Sequence, residues 1–123
     1  MITHPKTEEL LQSVALWIEQ IRPSLDPRNA FLGRVAANAL ATVGRELTQG
    51  PAAETEAVRR MAEVLGHDGT FAELNAELCG RIRAGELTVV SPGLLVALQV
   101  MARDQLAIDQ PSYKPEGTPP PSP

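Results

Sequence analysis

Aromatic side chains are scarce in this chain. Trp17, Phe31, Phe71 and Tyr113 make up 3% of its 123 residues, so a core must be built from Leu, Val, Ile, Ala and Met. Cys79 is the single cysteine, which excludes an internal disulfide and fits a reducing compartment. Histidine occurs only as His4 and His67, too few for a zinc site of three or four clustered ligands. Lys6 and Lys114 are the only lysines, and nine arginines carry the remaining positive charge. The net charge of −4 is a poor match for nucleic acid, where affinity rests on clustered cations neutralising phosphates. No apolar run approaches the ~20 residues that span a bilayer. The opening Met-Ile-Thr-His-Pro-Lys lacks the apolar stretch of a secretion signal. A cytoplasmic protein without membrane or nucleic-acid partners is expected.

Chemical constellations are lacking too. Neither glycine-rich phosphate loop, Gly-x-x-x-x-Gly-Lys-Ser/Thr or Gly-x-Gly-x-x-Gly, occurs. Ser13, Ser24, Ser91 and Ser112 have no nucleophile-elbow context. The Asp-Ser-Leu signature of an acyl carrier protein is missing. Cys79 falls in mid-helix with no base beside it, so it reads as a small buried side chain. His67-Asp68 reads as part of a turn. No catalytic, cofactor-binding or metal-binding residue is expected, and the chain is not expected to catalyse alone.

What is present is helical periodicity, and it predicts an all-α bundle of about five helices with short loops. The first runs from about Thr7 to Ile21, with Leu10, Leu11, Val14, Ile18 and Ile21 along one face and Pro23 blocking continuation. The second opens with Asp26 as cap and Pro27 at the first position and ends at Gly50. The third starts near Pro51, carries Val58, Met61, Ala62 and Leu65, and stops at Gly66. Thr70 and Glu73 form a capping box for the fourth, with Phe71, Leu74, Leu78 and Ile82 buried and Gly85 as terminator. Ser91-Pro92 caps the fifth, which carries Leu94, Leu95, Leu98, Met101, Ala102 and Leu106. Thr88-Val89-Val90 is β-branched, but a lone strand has nothing to pair with. Residues 1–110 are expected to form the helical domain. Residues 111–123, with six of the eleven prolines, should be a disordered Pro-rich tail.

The helix from Phe31 to Glu46 has three different surfaces. At about 100° per residue, Leu32, Val35, Ala36, Ala39, Leu40, Val43 and Leu47 fall on one apolar arc expected to face a core. Arg34, Asn38 and Arg45 fall within about 40° of one another on the far side. Between them Gly33, Ala37, Ala41 and Gly44 leave the backbone open to close approach. Solvated helix faces usually carry long charges of both signs, and asparagine is a mediocre helix former. Contact with another surface is therefore expected here, from a partner or from another helix of the same bundle.

Four runs carry a family resemblance: Arg-Val-Ala-Ala-Asn-Ala-Leu at 34–40, Gly-Arg-Glu-Leu at 44–47, Ala-x-Leu-Asn-Ala-x-Leu at 72–78 and Asp-x-Leu-Ala-Ile-Asp-x-Pro-x-Tyr at 104–113. The chain resembles a small bacterial helical family that occurs beside or fused to kinases of the aminoglycoside-phosphotransferase type, in operons with acyl-CoA dehydrogenases. It is similar in particular to the small subunits of the two-protein 4-hydroxyacyl-CoA kinases of levulinic acid catabolism. The resemblance implies an accessory subunit with no catalytic residues of its own, whose partner kinase uses ATP and magnesium. The interface expected on this basis takes Arg34, Asn38, Ala41 and Arg45 from the second helix, with Asp109 and Tyr113 from the end of the fifth. Gln105 and Ser112 depart from the pattern, standing where basic residues are expected, which argues against an anion contact at that end. A self-associating helical module without a kinase is the alternative.

Overall fold

A computed structural model describes residues 7–113. His4, Lys6 and the Pro-rich segment 114–123 lie outside the described residues. Four α-helices follow in order: α1 (Thr7–Ile21), α2 (Pro27–Leu65), α3 (Phe71–Arg83) and α4 (Leu94–Asp109), with a 3-10 turn at Arg22–Ser24 between the first two. No strand occurs among the described residues, and Thr88-Val89-Val90 is loop and turn. The class is all-α.

Four helices replace five because α2 runs straight through Pro51. A proline inside a helix removes one backbone donor and costs ~3 kcal/mol, but two neighbours soften this. Gly50 has no Cβ to meet the proline ring, which is part of what usually drives the preceding residue out of the helix. Ala52 and Ala53 then resume with the best helix formers. The chain divides into two compact units at Ala52/Ala53, immediately after this proline.

The first unit is a hairpin of α1 and the first half of α2. Pro23 sits in the 3-10 turn that closes α1, and the Ser24 hydroxyl donates to the Ile21 carbonyl at 2.6 Å. Asp26 caps α2: its Oδ2 accepts the Asn29 backbone N–H at 3.2 Å and its Oδ1 the Asn29 amide at 2.6 Å. Those bonds favour the ionised carboxylate and hold its pKa below the usual value.

The second unit holds the buried core. Ala57, Met61 and Leu65 rise along α2 at i, i+4 spacing and meet Leu74 and Leu78 of α3 and Leu94 of α4. Met61 and Leu74 are wholly enclosed. Gly66 ends α2 in the left-handed region at φ 82°, its N–H donating to the Ala62 carbonyl, as expected of a glycine terminator. Thr70 caps α3, its hydroxyl accepting the Glu73 N–H at 3.2 Å. Past Arg83 the chain closes through Gly85 N–H to Ile82 and Glu86 N–H to Arg81, the paired bonds of a Schellman motif.

Ser91 does not cap α4. Its hydroxyl accepts the Thr88 N–H at 2.8 Å and closes the turn before the helix. Gly93, at φ 79°, stands at the N-cap instead. The buried residues of α4 are Leu94, Ala97 and Ile108, while Leu95, Leu98 and Leu106 are exposed, as is Ile82 of α3. Cys79 is half-buried rather than enclosed.

Candidate interaction surfaces

The small residues of α2 decide how the hairpin packs. A Cβ added at Gly33 would stand 3.5 Å from Ile18 Cγ2 and 3.9 Å from Leu25 Cδ1. Further along, Leu11 and Ala15 of α1 share a groove with Leu40, Ala41 and Gly44 of α2. Low numbers on α1 therefore meet high numbers on α2, and the two helices run antiparallel. The neighbour admitted at Gly33 is α1 of the same chain, and Ala41 and Gly44 line the groove beside it. The sequence left two occupants open for that stripe, and the internal one takes it.

The larger apolar residues then have no place inside the hairpin. Leu32, Val35, Val43 and Leu47, expected to face a core, are exposed by between 43% and 49%. Their neighbours Ala36 and Ala39 are exposed as well. On α1, Leu10, Val14 and Trp17 are likewise exposed. The expectation fails because close helix contact needs small side chains, and the smooth face outcompetes the bulky one for α1. Every fully buried hydrophobic residue among those described lies beyond Ala52, so the hairpin encloses none.

The polar flank lies on the other side of the hairpin. Measured on the α2 wheel from the direction of α1, Arg34, Asn38 and Arg45 fall about 100° to one side and the exposed apolar arc about 110° to the other. Arg34 and Asn38 are exposed, and Arg34 makes no hydrogen bond or ion pair with the described residues. The Asn38 carbonyl accepts the Thr42 hydroxyl at 3.1 Å, and Arg45 Nη2 donates back to Thr42 Oγ1 at 3.2 Å. Ala41 and Arg45 line a groove with Glu8, Gln12 and Thr48, at about 330 Å³. Four of the expected interface residues thus share one flank of α2, and two of them edge its groove.

Asp109 and Tyr113 belong to the second unit. The Asp109 carboxylate accepts the Gln105 amide at 2.9 Å, and Tyr113 donates its backbone N–H to the Gln110 carbonyl. Tyr113 borders a shallow groove with Arg103, Leu106 and Gln110.

Charged clusters in this unit are structural ties. His67 in the turn faces Glu77 of α3 at 2.9 Å, and Arg81 reaches the same carboxylate at 3.2 Å. The His67 pKa is raised, first by the Asp68 carbonyl that accepts from Nδ1 and then by Glu77. Glu56 takes Arg59 and Arg60 together, which lowers its pKa to about 2. Exposed pairs of this kind contribute little to stability. No group of three or more His, Cys, Asp or Glu side chains among the described residues could hold a metal ion. No described helix is long and apolar enough to cross a membrane.

An all-helical chain with one enclosed core and one open hairpin is thus what the geometry defines. Residues 23–113 match the family described as a domain of unknown function, DUF6285, and the chain belongs to that family. No curated protein and no solved structure matches it.

Proposed function

We propose that the chain is a non-catalytic accessory subunit of a cytoplasmic phosphotransferase-type kinase. The kinase phosphorylates 4-hydroxyacyl-CoA in the catabolism of levulinic acid and other 4-hydroxyacids. The observation that carries this reading is the open hairpin: α1 and the first half of α2 enclose no residue and offer surface on two sides. A two-helix hairpin without a core offsets little of the entropy lost on ordering, so its use lies in contact with something else. The resemblance of residues 34–40, 44–47, 72–78 and 104–113 to kinase small subunits supports a kinase as that something.

In this reading the kinase brings ATP and magnesium and transfers phosphate to the 4-hydroxyl, turning a poor leaving group into one that a dehydrogenase-like enzyme can eliminate. The present chain orders the kinase. Arg34, whose guanidinium has no partner among the described residues, reaches for a carboxylate across the interface. Asn38 and Arg45 fix the register beside it, and Asp109 and Tyr113 of the second unit make a contact of their own with the kinase. The test is co-purification with the phosphotransferase-type kinase of the same host. Truncating one member of a buried interfacial charge pair costs ~2–5 kcal/mol, so Arg34→Ala should release the kinase while helicity is kept. Retention by both Arg34→Ala and Arg45→Ala variants removes this flank from the interface.

A further inference from the structure

The apolar side of the hairpin remains without a partner. On α1 it comprises Leu10, Val14 and Trp17, and on α2 Leu32, Val35, Val43 and Leu47, each with 43–59% of its surface uncovered. In an antiparallel pair, wheel positions about 95° before the contact on α1 and about 115° before it on α2 point to the same side. The seven side chains therefore form one continuous face. Its area is on the order of 700 Å², above the roughly 300–600 Å² of the largest patch on ordinary monomers. It also comes close to the about 800 Å² that each partner buries in a stable interface.

The charges at its two ends indicate the occupant. Arg28 and Glu46 are both exposed and form no ion pair with the described residues. They stand eighteen residues apart, about five full turns, so they fall on one line with Val35 and Ala39 between them. A positive end, an apolar middle and a negative end make a line complementary to its own reverse. In a two-fold contact, residue i meets j and j meets i. An antiparallel copy centred at Ala37 sets Arg28 against Glu46, Val35 against Ala39 and Leu32 near Val43. The same axis brings Val14 of α1 close to its own copy.

We infer that this face is closed by a second copy of the chain, two hairpins stacking into a four-helix bundle about a two-fold axis at the level of Ala37. The bundle supplies the core that one hairpin lacks. The flank of Arg34 and Asn38 lies on the opposite side of the hairpin. The inference does not depend on the kinase.

Sedimentation equilibrium of the full chain tests it, with 13.2 kDa as the mass of one copy. Twice that mass is expected across the micromolar range. Val35→Glu buries an unpaired charge at the seam and should raise the dissociation constant roughly a hundredfold. Should that variant lose its helices, the exposed charges still decide the matter. Arg28→Glu alone should weaken the dimer roughly fivefold, and Arg28→Glu combined with Glu46→Arg should restore it. A chain that stays at one copy throughout overturns the inference, including one whose own second unit protects Val35. A chain that is single alone and uses Val35 only to bind a kinase overturns it as well. So does a double charge reversal that restores nothing.

Discussion

Gly33 lies directly beneath Ile18: a Cβ built on the glycine would stand 3.5 Å from Ile18 Cγ2. That spacing is ordinary contact, so a methyl group fits, whereas a longer side chain has Ile18 and Leu25 in its way. Gly33→Ala should leave the hairpin intact or raise its stability slightly, since alanine is the better helix residue. Gly33→Leu should force the helices apart at a cost of ~1–3 kcal/mol. Urea denaturation of the two variants reads the difference. Equal midpoints would mean that α1 does not lie on this face.

Met61 and Leu74 are wholly enclosed in the second unit. Met61→Ala or Leu74→Ala should cost about 2–5 kcal/mol, whereas Leu32→Ala or Val43→Ala should change the unfolding of a dilute, single copy by much less. Thermal melts of the four variants separate the enclosed core from the open face. A Leu32→Ala penalty as large as that of Leu74→Ala in a dilute sample would show the face already covered within one chain.

How much of this was legible in the sequence follows from the same residues. The start of α3 could be read because Thr70 and Glu73 form a local capping box that needs no tertiary context. The end of α1 could be read because Pro23 cannot continue a helix. Pro51 misled because its neighbours Gly50, Ala52 and Ala53 tolerate a proline within a continuous helix. Ser91 misled because its hydroxyl closes the turn at Thr88 instead of capping α4. The three surfaces of the second helix were visible from their spacing, but which of them meets α1 was not. Periodicity locates a face, while choosing its partner depends on how closely two backbones approach. Gly33, where α1 comes closest to the backbone, was the available signal for the smooth side.

Gly93 opens α4 at φ 79° and Gly85 turns the chain after α3 at φ 77°. Side chains other than glycine resist this region by roughly 1–2 kcal/mol. Gly93→Ala and Gly85→Ala should each lower the melting temperature. Gly44→Ala should not, because nothing lies within 4 Å of the Cβ it would add. Differential scanning calorimetry of the three single variants checks the contrast.

The two shifted titrations work at opposite ends of the pH scale. The His67 pKa lies above 6.5 in the fold, raised by the Asp68 carbonyl and then by Glu77. Its contribution is fully present below pH 6.5 and is lost as pH rises through the elevated value. Glu56, held at about 2 by Arg59 and Arg60, contributes above 4.5 and loses its contribution as pH falls through about 2. His67→Gln should flatten the dependence of melting temperature on pH above 6.5, and Glu56→Gln should flatten it on the acid side. Both ties are exposed, so these changes should be small, and a His67 titration left unshifted in the native chain would show that its tie does not form.

The central claim is that this chain works by contact and has no reactive centre of its own. ATP consumption on a 4-hydroxyacyl-CoA, measured with the chain alone, with the phosphotransferase-type kinase alone and with the two together, tests it most directly. Turnover that needs both proteins, and that falls when Arg34→Ala replaces the native chain, is the predicted result. Turnover by the chain alone, or full turnover by the kinase without it, contradicts the account.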